Sequence, residues 1–103
     1  MSALETVRKY APDADEAVVA AMEKTYRLAL THADARLVSY SDDEELKTVR
    51  ESFVKGKLGV TDSDESIDAA IQEVGKKISG QKPRLAVYYL LAEKYGKLGV
   101  FKS

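Results

Sequence analysis

The stretch Asp62-Ser63-Asp64-Glu65-Ser66-Ile67-Asp68 offers six oxygen-bearing side chains in seven residues. A hard cation such as calcium takes six to eight oxygen ligands. Counted as a calcium loop from Asp62, position 3 is Asp64, position 5 is Ser66 and position 12 is Glu73. Those are ligand positions of a helix–loop–helix calcium site. Position 6 is Ile67, where the sharp turn calls for glycine. The same residues also read as a helix start, with Asp62 as cap and Glu65 and Asp68 near the positive helix end. The metal reading therefore ranks third among the functional readings of the chain.

A second candidate is cationic. Lys82 and Arg84 flank Pro83 at the start of the last helix, and Lys76 and Lys77 lie one helix earlier. Helix starts favour acidic residues, so two cations there break a local rule. A phosphate-bearing ligand could meet both side chains and the N–H groups of the first turn. The plain alternative is a solvated basic loop.

Enzyme chemistry has little to build on. The chain has no cysteine and one histidine, His32. No Gly-x-Ser-x-Gly elbow occurs. Gly56-Lys57 and Gly96-Lys97 lack the spacing of a phosphate loop and its following Ser or Thr. Asp42, Asp43, Glu44 and Glu45 are explained as the first turn of a helix. The expectation is a non-enzymatic protein without a cofactor.

These residues must be positioned by helices, whose starts are legible. Ser2 with Glu5, Asp13 with Glu16, Ser41 with Glu44 and Asp62 with Glu65 all have capping-box spacing. The first helix should stop near Tyr10, before Ala11-Pro12. The second should run to about Thr31. Residues 35–40 read as one helical turn or an irregular link. The third helix carries Leu46, Val49 and Phe53 and should end at Lys55 before Gly56. The fourth aligns Ile67, Ile71, Val74 and Ile78 and should stop at Gly80. The last, Arg84 to Tyr95, carries an uncharged run from Leu85 to Ala92 and should be buried. Val-Tyr-Tyr-Leu-Leu has β character, but Pro83, Ala86 and Ala92 favour helix. Gly56-Lys57-Leu58-Gly59-Val60 recurs as Gly96-Lys97-Leu98-Gly99-Val100. Both copies are expected to end a helix with their first glycine. The flanks do not stay in phase, so two independent terminators are preferred to a duplication.

At 103 residues the chain is expected to be one domain, residues 1–103. Hydrophobic residues at 45% and charged ones at 32% indicate a globular chain. With 16 basic and 17 acidic residues the net charge is -1, which speaks against a general nucleic-acid binder. No apolar run suits a signal peptide or a membrane span, so a cytoplasmic protein is expected.

Three stretches carry a resemblance. They are Met1 to Pro12, Ile67-Asp68-Ala69-Ala70-Ile71, and Tyr88-Tyr89-Leu90-Leu91-Ala92-Glu93-Lys94-Tyr95-Gly96-Lys97-Leu98. Together they resemble the small bacterial Domain of Unknown Function 2853 family over nearly the whole chain. The resemblance implies a small all-helical domain and supplies no activity.

The expected fold is an all-α bundle of five to six helices, packed irregularly around the last one. Its core should hold Leu46, Val49, Phe53, Ile67, Ile71, Val74, Ile78, Val87, Leu90 and Leu91. Most tyrosines should be core rings, and Val100-Phe101 should dock on the core or on a second chain. The leading functional expectation is a protein–protein interaction module, with a homodimer or an unknown protein as partner. Such a module should expose a contiguous apolar patch.

Overall fold

A computed structural model describes residues 3–27, 37–78, 80 and 82–101. Five α-helices are present among them: α1 (Ala3–Tyr10), α2 (Glu16–Thr25), α3 (Asp43–Thr48), α4 (Asp64–Lys77) and α5 (Arg84–Lys94). A π-helical segment, Val49–Lys57, continues α3 without a break, and a 3₁₀ turn, Leu98–Phe101, closes the described chain. The fold is an all-α bundle. α2 ends at Thr25, with Tyr26 as its C-cap and the Tyr26 N–H on the Met22 carbonyl, short of the expected end at Thr31. Ser2, residues 28–31 of that expected run and His32 lie outside the described residues.

The caps sit one or two residues beyond the expected ones. Asp15 caps α2 by accepting from the Ala17 N–H, and Asp42 caps α3 by accepting from the Glu44 N–H. Ser63, not Asp62, caps α4, accepting from the Ser66 N–H. In each case a second capping residue follows the first, and the pattern of acids three residues on does not choose between them.

The third helix departs further from expectation. It does not stop at Lys55 but widens into the π segment and runs to Lys57. The apolar spacing accounts for this. Val49, Phe53, Val54 and Leu58 are buried, at intervals of four, one and four residues. A turn closing five residues back, as the Leu58 N–H does on the Phe53 carbonyl at 2.9 Å, keeps all four on the core side.

The repeated pentapeptide ends its two helices differently. In the second copy Gly96 has φ +67°, with the Lys97 N–H on the Ala92 carbonyl and the Gly96 N–H on Glu93, a Schellman closure. In the first copy Gly56 is inside the π segment and Gly59 takes the positive φ, +71°. Residues 37–42, which lead into α3, are irregular. Leu37 forms an isolated antiparallel bridge with Pro83, and Val38 is buried.

The core gathers around α5, whose residues Arg84 to Ala92 are all buried. This helix packs against α1, α2, the π segment, α4 and the 3₁₀ turn. Tyr88 stacks on Phe53 with centroids 3.9 Å apart, Tyr26 meets Tyr88 edge-on at 5.1 Å, and Phe101 lies 6.3 Å from Phe53. Phe101 is therefore a core residue. Nine of the ten expected core residues are buried, and the exception is Leu46, which is half-buried. The radius of gyration is 12.4 Å, against about 13 Å for a folded chain of 100 residues.

Candidate functional site

Two helix faces meet beside Leu46 without closing over it. Asp43, Leu46, Lys47 and Arg50 share one face, at helical intervals of three and four. Asp68, Ile71 and Gln72 share the facing side of α4. Between them lies a cleft of about 270 Å³. Leu46 and Ile71 give it an apolar lining, and the other five side chains are polar or charged.

Arg50 is the best-fixed group in the cleft. Its Nε donates to Glu51 Oε2 at 2.9 Å, and its Nη1 donates to both Asp68 oxygens at 3.1 and 2.9 Å. Glu51 also pairs with Lys55 at 3.0 Å, and Lys55 in turn pairs with Asp64. The network ties the π segment to the start of α4. The bonds from Glu51 and Asp68 hold the Arg50 guanidinium above its usual pKa. The bond from Arg50 holds Glu51 below the usual carboxylate value, and the bond from Lys55 does the same for Asp64. The Nη2 group of Arg50 has no protein partner among the described residues, and neither has the Lys47 ammonium.

The residues singled out in the sequence are placed elsewhere. Asp64, Ser66 and Glu73 lie along α4, and Asp62 precedes its cap, so helix spreads the four instead of wrapping them round a point. Asp64 answers Lys55, and Glu73 answers Lys94 at 2.9 Å. Among the described residues no group of three or more His, Cys, Asp and Glu could hold a metal ion.

The basic quartet is not brought together as an anion site either. Lys76 and Lys77 are exposed in the last turn of α4. Lys82 turns back to donate to the Ile78 and Gly80 carbonyls at 2.6 and 3.0 Å, with the Tyr40 ring 5.7 Å away. Arg84 points into the core. Its Nη1 donates to the Tyr88 hydroxyl at 2.8 Å, and its Nη2 meets Glu45 and the Leu37 carbonyl. Burial opposes this charge, but Tyr88 and Glu45 outweigh it and raise the Arg84 pKa. At neutral pH the phenol is uncharged, so among the described partners Glu45 is the one that carries a carboxylate.

One further contact had no signal in the sequence. Tyr40 lies against α4, its hydroxyl donating to the Ile71 carbonyl at 2.9 Å. A Cβ at Gly75 would come within 2.5 Å of the Tyr40 ring. Gly75 is thus the residue that lets the ring approach, and burial pushes the Tyr40 hydroxyl up to about 12.

The expected apolar patch is absent from the described surface, where Val100 is the only large hydrophobic side chain exposed. No helix there is long and apolar enough to cross a membrane.

Comparison with known proteins adds kinship. One family profile, described as "Protein of unknown function (DUF2853)", matches residues 2–99. No curated protein matches the chain.

Proposed function

We propose a binding role for this chain, which belongs to the DUF2853 family of proteins of unknown function: it is a non-enzymatic module that binds a short segment of a protein partner in the cleft between α3 and α4. The observation that supports this reading is the cleft's composition. Two apolar side chains, Leu46 and Ile71, sit among Asp43, Lys47, Arg50, Asp68 and Gln72. A peptide offers the matching mixture of apolar side chain, carbonyl and N–H. At about 270 Å³ the cleft is just below the roughly 300–1,000 Å³ of small-molecule and cofactor sites, which suits one or two side chains better than a nucleotide. A polar cleft replaces the apolar patch as the recognition surface.

The test is selection of a displayed random-peptide library on the full chain, repeated on Gln72→Trp. Gln72 is exposed, so the indole fills the cleft without entering the core. Sequences enriched on the wild type and lost on the variant support the module. Failure to enrich any sequence, or equal enrichment on both proteins, removes the reading.

A further inference from the structure

The charges of the cleft are unequally balanced, and this selects the partner. Asp68 is engaged by Arg50. Asp43 lies in the first turn of α3, where the helix N-terminus stabilises an anion. The two acids therefore have compensation within the fold. The cations differ. Lys47 stands near the end of α3, but the chain continues as helix through Lys57, so no helix C-terminus lies there to offset its charge. It has no ion-pair partner among the described residues. Arg50 is held on two sides by Glu51 and Asp68, which leaves the two N–H donors of Nη2. Lys47 and Arg50 are three residues apart on one helix and line the same cleft.

We infer that the partner segment places the carboxylate of a Glu or Asp side chain between the Lys47 ammonium and the Arg50 Nη2 group, with a neighbouring apolar side chain on Leu46 and Ile71. The inference rests on the peptide-binding reading above. A guanidinium fixed by its own carboxylates loses little freedom on meeting another, and Arg donors match carboxylate geometry. Ile71 and Leu46 supply the contact that a free carboxylate would not use.

The experiment is an NMR titration of the ¹⁵N-labelled full chain with acetyl-Leu-Glu-Leu-amide, its Gln and Lys counterparts, and glutarate. The Glu peptide is expected to give saturable shifts at the amides of Lys47, Arg50 and Gln72. The Gln peptide should bind about fivefold more weakly, the discrimination an exposed ion pair supports. Lys47→Ala should abolish the Glu-over-Gln preference, and Lys47→Arg should restore it. Lys47 is exposed and makes no internal contact of this kind, so both variants should fold. Equal binding of Glu and Gln peptides, a preference for the Lys peptide, or no saturable shift overturns the inference. Glutarate binding as well as the Glu peptide overturns the protein segment as occupant. Library sequences that need the open cleft but bind Lys47→Ala unchanged would remove the carboxylate pairing alone. An empty selection would remove the module itself.

Discussion

Gly75 and Arg84 carry more of the structure than their sequence contexts suggest. Gly75 sits inside α4, where glycine is unfavourable to a helix by roughly 1 kcal/mol relative to alanine. Propensity alone says that Gly75→Ala should stabilise. The Tyr40 ring, 2.5 Å from the position of the new Cβ, says the opposite. Overpacking typically costs about 1–3 kcal/mol, so a lower urea midpoint is expected. The same substitution in a Tyr40→Ala background should lose most of that cost, because the clash is gone. Arg84 read as a cation for a ligand because its charge broke the rule for helix starts. The rule is broken for an internal reason, since Glu45 on α3 reaches it in the core. Glu45→Ala takes away a carboxylate that pairs with a buried guanidinium. Fully buried pairs lose about 3–5 kcal/mol on such a change, and the 22% exposure of the Glu45 side chain puts this one at about 2–3 kcal/mol. The double change Glu45→Leu with Arg84→Met should be less destabilising than Glu45→Ala alone, and denaturant unfolding of both variants checks it.

Among the elements, the identical pentapeptides separate local sequence from context. The second copy follows an α-helix that ends in step with its core face, so Gly96 falls at the residue after the cap. The first follows a π segment whose wider turns carry Gly56 inside the helix and pass the left-handed position to Gly59. A non-glycine residue at positive φ costs roughly 1–2 kcal/mol. Gly59→Ala and Gly96→Ala should each lose about that much, whereas Gly99→Ala, with no atom within 4 Å of its Cβ and no positive φ, should be close to neutral. Thermal unfolding of the three variants reads this directly. The helices and most of their buried stripes were legible because a 3.6-residue period needs no tertiary information. The π segment was not, because Leu46, Val49 and Phe53 satisfy an α period before Val54 and Leu58 break it. The ion network joining this segment to α4 sets an acid limit. Glu51 and Asp64 hold pKa values below their ordinary 4.5 and 3.8. Depressed carboxylates contribute stability above the ordinary values, and that contribution disappears as pH falls through the depressed ones. The urea midpoint should therefore decline below about pH 4.5, and Arg50→Met should flatten that decline relative to its own value at pH 7.

At the scale of the whole molecule, the last helix is where separate parts of the chain are made to agree. The sequence marked it as buried by its uncharged run. What could not be read was its use of both tyrosines: Tyr89 receives the Asp15 N–H at 2.9 Å at the start of α2, while Tyr88 joins Tyr26, Phe53 and Phe101 on another side. The cleft was illegible for a related reason. Its charges belong to two helix faces that each read as solvated, and only the packing of α4 beside α3 brings them together. The ring cluster gives the clearest test of global coupling. Phe101 is 7% exposed, and its removal would open a cavity against Phe53. Phe→Ala changes in cores cost about 3–5 kcal/mol, and the residual exposure of Phe101 places Phe101→Ala at the lower end, about 3 kcal/mol. A purely local role for the 3₁₀ turn would leave Tyr26 and Tyr88 undisturbed. A cluster that closes the bundle should instead lose near-ultraviolet dichroism from the tyrosines while the far-ultraviolet helix signal stays, with the urea midpoint lowered and the m-value unchanged.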